Sequence, residues 1–94
     1  MYRILAERRF EANAAWEQDG KPHLYETLRS YNNGMNQLRG MRKPLTWRTD
    51  PDLNQIWTEF NLPRQQTFVS WRLVGYEFQV PKGEWVEFER FEGQ

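Results

Sequence analysis

The chain has 94 residues, of which 38% are hydrophobic and 16% aromatic, and its formal net charge is zero. A chain of this length has room for one core, so residues 1–94 are expected to form a single globular domain. The absence of cysteine excludes disulfides, thiolate metal sites and cysteine catalysis, and no apolar run is long enough for a signal peptide or a membrane span. These features predict a small, soluble, cytoplasmic domain with no membrane partner.

Charge is distributed unevenly along the chain. Residues 1–48 carry nine Lys or Arg against five acidic residues (net +4), and residues 49–94 carry four against eight (net −4). Two interpretations are open. Either the two halves attract each other within the fold, or the surface is bipolar and recognises a charged partner or a second copy of the chain.

The first predicted element spans residues 3–18, because this stretch is dense in the helix formers Ala, Glu, Arg and Leu. Asp19 and Gly20 follow as a helix stop, with the glycine at a suitable capping position. We therefore expect a helix here. The alternative is an opening β-strand, whose apolar face comprises Tyr2, Ile4, Ala6 and Phe10.

The second predicted element spans residues 22–39. Its apolar residues recur at intervals of four, three, four and three, which gives a helical stripe of Leu24, Leu28, Tyr31, Met35 and Leu38. Asn32-Asn33-Gly34 interrupts this stripe with residues that tolerate positive φ and favour turns. The helix is therefore expected either to run to Gly40 or to break at this turn.

The third predicted element is a short amphipathic helix over residues 49–60. Pro51 suits its first turn, and Pro63 ends it because a residue before proline is pushed out of the α region. Its buried face is predicted to comprise Leu53, Ile56, Trp57 and Phe60.

The last predicted element is an aromatic-rich β-hairpin over residues 66–91. The Pro-Lys-Gly sequence at 81–83 suits a three-residue loop with a G1 bulge, and such a loop places Val80 opposite Glu84. In this register one face of the hairpin is apolar and comprises Tyr76, Phe78, Val80, Val86 and Phe88. That face is predicted to belong to the core.

Val69, Trp71 and Leu73, earlier in the hairpin, have the opposite parity, and a bulge near Gly75 is predicted to rotate them onto the apolar face. An isolated hairpin is only marginally stable, so it needs helices or a third strand, for which residues 44–48 and the N-terminus are candidates. The sequence thus predicts an α+β fold, with helices in the first two-thirds of the chain packed on a C-terminal antiparallel β-hairpin or small sheet.

Side chains suited to catalysis or metal binding are scarce. The only histidine, His23, is expected at the surface or in a first helical turn, and neither serine belongs to a triad pattern. No calcium-loop or phosphate-loop pattern is present, so we predict no metal and no cofactor. The chain is therefore expected not to be an enzyme.

The outer face of the predicted hairpin carries acidic residues and a tryptophan. Glu77 is expected opposite Glu87, with Glu89 two residues further on, and paired carboxylates raise each other's pKa as a general acid requires. A flat sheet offers no groove, so a carboxylate enzyme ranks third among the functions considered. Trp85 is expected opposite Gln79 on this face, covered either by a partner or by the chain's own N-terminal segment.

A basic stretch joins the second and third predicted elements. Its cationic side chains can neutralise phosphates and its indole can stack on an unpaired base, as single-strand nucleic-acid binding requires. The residues are Arg39, Arg42, Lys43, Trp47 and Arg48. The alternative is a solvated connection with Trp47 packed inwards, and the neutral net charge favours it.

The leading hypothesis is a small regulatory protein that binds a protein partner, including a second copy of itself, through an aromatic and charged surface. That surface comprises Trp85, Glu77, Glu87 and Glu89. Tryptophan dominates interface energetics because it combines large area, rigidity and a polar group. Nucleic-acid binding through the basic stretch is the alternative.

Overall fold

The computed structural model describes residues 1–42, 55, 58–60 and 70–93. The elements with defined bounds are the strands β1 (Tyr2–Arg9), β2 (Glu17–Gln18), β3 (His23–Tyr25), β4 (Ser70–Gln79) and β5 (Glu84–Gly93), and the helix α1 (Leu28–Met41). The strands form one antiparallel sheet with β1 and β4 at its centre. β5 pairs with the outer edge of β4, while β2 and β3 pair with successive parts of the free edge of β1.

The fold class predicted from the sequence is wrong, because the first quarter of the chain supplies three strands of a five-stranded sheet. Residues 3–18, predicted as a helix, form β1, a connecting turn and β2. The alternative prediction of an opening strand is confirmed for Tyr2, Ile4 and Ala6, of which Ile4 and Ala6 are buried on one face of β1, whereas Phe10 lies beyond the end of the strand. Eight residues of β1 pair with eight of β4, and this long-range pairing outweighs the local helix preference of Ala, Glu and Arg.

Helix α1 begins later than the second predicted element does. Residues 23–25 pair with β1 as a strand, and Thr27 then caps the helix by accepting a hydrogen bond at Oγ1 from the Ser30 backbone N–H (3.1 Å). The helix continues through the Asn-Asn-Gly sequence without a break. Gly34 is needed there because a Cβ would lie 2.2 Å from the Tyr25 ring.

The core lies between α1 and one face of the sheet. Tyr31, Met35 and Leu38 of α1 are buried, as the helical stripe predicts. The remaining core residues come from the central strands and are Ile4, Ala6, Trp71 and Leu73. The other two leucines of the predicted stripe are not part of it: Leu24 lies in β3 and is 62% exposed, and Leu28 begins α1 but is 45% exposed.

Two predictions concern the middle of the chain. Of the helix predicted over residues 49–60, Gln55 and residues 58–60 are described and are helical, and the others lie outside the described residues. Phe60 was assigned to the buried face of that helix, but it is 67% exposed, so this part of the prediction is wrong. The N-terminus supplies the third strand, whereas residues 44–48 lie outside the described residues.

Tyr31 links α1 to the far edge of the sheet. Its ring is fully buried, and its hydroxyl donates a hydrogen bond to Glu89 Oε2 at 3.0 Å. Burial, followed by the hydrogen bond and charge of Glu89, raises the pKa of the Tyr31 phenol well above its usual range. The folded protein therefore retains this proton at pH values where the unfolded chain releases it.

We expect the free energy of unfolding to fall as the pH rises above about 10, the ordinary tyrosine pKa. Above that pH the Tyr31 phenol ionises in the unfolded chain but stays protonated in the folded protein. Ionisation therefore stabilises the unfolded chain, and the free energy of unfolding falls. Urea midpoints at pH 9 and pH 11 test this, and Tyr31→Phe should lose less stability between the two than the unaltered protein. Equal losses would contradict the assignment. Burial also raises the pKa of Tyr25, so part of the dependence should remain in the variant.

Candidate functional site

The C-terminal hairpin is formed by β4 and β5, and its register differs from the predicted one. Gln79, not Val80, lies opposite Glu84, and the Gly83 N–H donates a hydrogen bond to the Gln79 carbonyl at 2.7 Å. The loop is therefore four residues long, and Val80 lies within it, 82% exposed. Gly83 has a φ of +67°, which confirms its predicted left-handed conformation. One extra loop residue shifts every pair of the outer hairpin by one position.

The predicted bulge near Gly75 is present, but its effect differs. Gly75 pairs with Glu89 and Tyr76 pairs with Glu87, so the extra residue is Phe88 of β5. Because the bulge lies in β5, the side chains of β4 alternate without interruption. Trp71 and Leu73 consequently stay on the opposite face to Tyr76 and Phe78, and Val69 lies outside the described residues.

Helix α1 packs on the Trp71 and Leu73 face of the hairpin. Phe88 reaches the same side through the bulge, with its ring centroid 5.5 Å from that of Tyr31. The predicted core face of the hairpin is therefore wrong as a unit: Val86 and Phe88 lie on the α1 side, but Tyr76 and Phe78 lie on the face that points away from α1.

An aromatic platform lies on that second face, near the hairpin loop. We use this name for Arg3, Tyr76, Phe78 and Trp85. Phe78 and Trp85 are cross-strand partners whose rings meet edge to face, with centroids 5.4 Å apart. Arg3 pairs in register with Tyr76, and its Cζ lies 4.4 Å from the Trp85 ring centroid and 5.0 Å from that of Tyr76. All four residues are half-buried.

Trp85 is thus covered in part by the N-terminal segment, which is one of the two outcomes expected from the sequence. Its predicted partner Gln79 is replaced by Phe78, because of the shifted register. Sequence reasoning missed Arg3 and assigned Tyr76 and Phe78 to the core. The available signal was the alternation of β1, since a strand that buries Ile4 must direct Arg3 to the other face.

Arg3 differs electrostatically from most other arginines of the sheet. Among the described residues, no carboxylate lies within ion-pair distance of its guanidinium, and its Nε is buried without a hydrogen-bond partner. Arg72, by contrast, donates to Glu7 at 2.9 Å, and Arg90 donates to Glu87 at 2.7 Å. Within the part of the chain that the structure describes, the Arg3 guanidinium contacts the two rings and no charged group.

The three glutamates of the predicted surface do not come together. Glu77 lies opposite Tyr2 and Val86 on the α1 side of the sheet, so the predicted pair with Glu87 is not formed. Glu89 lies on that side as well, bound to Tyr31. Glu87 alone shares the platform face, where the hydrogen bond from Arg90 lowers its pKa.

A second arginine–aromatic cluster lies at the other end of the same face. The Trp16 ring is contacted by Arg9 and Arg72, with Cζ-to-centroid distances of 4.5 and 4.4 Å. Like Arg3, Arg9 has a buried Nε without a hydrogen-bond partner. Arg9 and Arg3 are six residues apart on β1, with the buried Val74 of β4 between the two clusters, so the clusters are separate sites.

Two residues of the predicted basic stretch are described, and both are engaged by the rest of the protein. Arg39 stacks on Phe91, with its Cζ 4.1 Å from the ring centroid, and Arg42 is ion-paired with Asp19. Lys43, Trp47 and Arg48 lie outside the described residues.

The only histidine is not part of a metal site in the described residues. His23 lies in β3 opposite Ile4 and is half-buried. Within the described ranges, no three His, Cys, Asp or Glu residues are grouped to hold a metal ion. Nor does any helix in this part of the chain combine the length and apolarity that crossing a membrane demands. Comparison with protein families, curated proteins and solved structures finds no significant match to the chain.

Proposed function

We propose that this chain is a small interaction protein that binds another protein through the aromatic platform. The observation that carries the proposal is the stacking of Arg3 against Trp85 and Tyr76, with Phe78 against the same indole. Trp, Tyr and Arg dominate protein interfaces, because they combine large contact area with rigidity and hydrogen-bonding groups. Here the sheet holds these residue types together in a half-buried cluster, ready to be covered further by a partner.

Charge favours a protein over a nucleic acid as the partner. Residues 76–93 contain five glutamates but only one lysine and one arginine, a net charge of −3. A polyanion brought to the platform meets this acidic hairpin and is repelled. The engagement of Arg39 and Arg42 elsewhere also weakens the case for nucleic-acid binding by the basic stretch.

Site-specific photo-crosslinking tests the proposal. A photoreactive phenylalanine analogue in place of Lys82, in the hairpin loop, should give a discrete protein adduct in cells, whereas the analogue at the exposed Arg29 of α1 should not. Mass spectrometry identifies the adduct, and an adduct of twice the chain mass identifies a second copy as the partner. A nucleic-acid adduct at Lys82 would contradict the proposal.

The identified partner then permits an affinity measurement. Trp85→Ala should weaken its binding by about tenfold or more, which corresponds to roughly 1.4 kcal/mol or more of binding free energy. Circular dichroism should show that the variant remains folded. If it does not, Trp85→Phe keeps a smaller ring in place and should still weaken binding. Unchanged affinity in a folded variant rules the platform out as the interface.

A further inference from the structure

We infer that Arg3 binds a carboxylate: it takes one acidic side chain from an extended, otherwise apolar segment of the partner. This inference rests on the proposed function and adds the chemistry of the partner. Arg3 stands out on the platform because its charge has no acidic partner among the described residues.

The rings of Trp85 and Tyr76 hold the Arg3 side chain in place. These rings come from two neighbouring strands, 4.4 and 5.0 Å from Cζ, so the guanidinium is restrained before any ligand arrives. A planar guanidinium binds a carboxylate through two parallel N–H donors, and a restrained one loses less rotamer freedom on binding. Cation–π contacts leave the charge uncompensated by any anion. An incoming carboxylate supplies that compensation.

The surroundings favour one carboxylate over a line of phosphates. Of the glutamates in β5, Glu87 lies on the platform face nearest Arg3, whereas Glu84 is the neighbour of Trp85 and points to the α1 side. A single anionic group that reaches Arg3 meets only Glu87 among them, whereas a continuous polyanion is repelled along the rest of β5. An acidic peptide segment with isolated charges therefore fits better than a nucleic acid.

Apolar surface next to Arg3 indicates the neighbours of that acidic residue. Leu24 of β3 pairs in register with Arg3 and is 62% exposed, while Phe78 and Trp85 lie on its other side. An extended segment that crosses from Leu24 over Arg3 to Phe78 and Trp85 places apolar side chains on either side of the carboxylate. Its recognition element is thus a glutamate or aspartate flanked by aliphatic residues.

Nuclear magnetic resonance titration of the full chain tests this assignment. The probe is the capped peptide acetyl-Gly-Val-Glu-Val-Gly-amide, and its matched control has glutamine in place of glutamate. We expect the glutamate peptide to give saturable shifts of the Arg3 Nε–H and Trp85 indole resonances. The glutamine peptide should bind about tenfold more weakly, as loss of a charge-assisted hydrogen bond implies.

Variants separate a specific site from general charge. Arg3→Gln should remove the preference for glutamate over glutamine. Arg9→Gln is the matched control, because Arg9 lies on the same strand and face, stacks on Trp16 and also has an unpaired Nε, but lies in the separate cluster. It should leave the preference intact. Arg3→Lys keeps the charge without the planar fork and should retain only part of the preference.

Several outcomes overturn the inference. A carboxylate site at Arg3 is excluded if the two peptides bind equally tightly or if neither gives a saturable shift. It is also excluded if Arg3→Gln and Arg9→Gln reduce the preference for the glutamate peptide to the same extent. Tighter binding of a ten-residue oligothymidylate, or equally tight binding of inorganic phosphate, at constant ionic strength excludes it as well. With the crosslinked partner, if Trp85→Ala weakens binding but Arg3→Gln does not, this inference is wrong and the proposed function stands. If neither variant weakens binding of that partner, the proposed function is wrong as well.

Discussion

Gly75→Ala should destabilise the protein by about 3 kcal/mol, near the upper end of what overpacking a core costs. A Cβ at this position would lie 1.8 Å from Tyr31 Oη and 2.7 Å from Tyr31 Cζ. The tyrosine cannot withdraw, because its ring is fully buried against the rings of Tyr2, Tyr25 and Phe88 and its hydroxyl is bound to Glu89. Either the helix or β4 must therefore move.

Gly40→Ala is the matched control for this prediction. A Cβ at Gly40 meets no atom within 4 Å, and the residue lies in α1, so alanine should stabilise the protein by about 0.5 to 1 kcal/mol. Urea unfolding of both variants measures the two effects. The close contact at Gly75 is contradicted if Gly75→Ala costs under about 1 kcal/mol, the lower limit for overpacking. Combining it with Tyr31→Phe should cost less than the sum of the two single changes, because the clashing hydroxyl is then absent.

Leu73→Ala should cost about 3 kcal/mol of folding free energy, within the range of about 2 to 5 for truncation of a buried leucine. Leu73 is fully buried at the centre of the sheet, where it pairs in register with Ala6 and Phe91. Truncation removes apolar contacts and leaves a cavity under α1. The loss should appear as a lower urea midpoint with little change in the slope of the transition.

Leu24→Ala makes the same chemical change at an exposed site. Because Leu24 is 62% exposed, its truncation should change stability by no more than about 0.5 kcal/mol. The stability costs of Leu73→Ala and Leu24→Ala thus compare the two faces of the sheet with the same chemical change. A cost at Leu24 similar to that at Leu73 would contradict the assignment of the core to the α1 face.

Local signals predict the parts of this fold that depend on neighbouring residues. The hairpin, the left-handed Gly83, the bulge near Gly75 and the buried stripe of Tyr31, Met35 and Leu38 all follow from spacing and turn chemistry. These features are specified within a few residues, so one sequence is enough to find them.

Long-range pairing decides much of the rest. Residues 2–9 have a helix-forming composition, and they form a strand because β4 pairs with one edge and β2 and β3 with the other. The platform was missed for a different, local reason, the length of the hairpin loop. Its identity depends on whether Val80 belongs to the loop, and that single residue decides whether Phe78 faces Val86 or Trp85.

The bulge at Phe88 and the charges of β5 also bear on how a partner can approach. Among the described strands, β5 has a neighbour only on its β4 side, and ten residues of open edge favour edge-to-edge aggregation. Its four glutamates and one arginine, together with the local kink at Phe88, oppose the addition of another strand. Association is thereby directed away from the sheet edge and towards its faces, and one of those faces already carries α1.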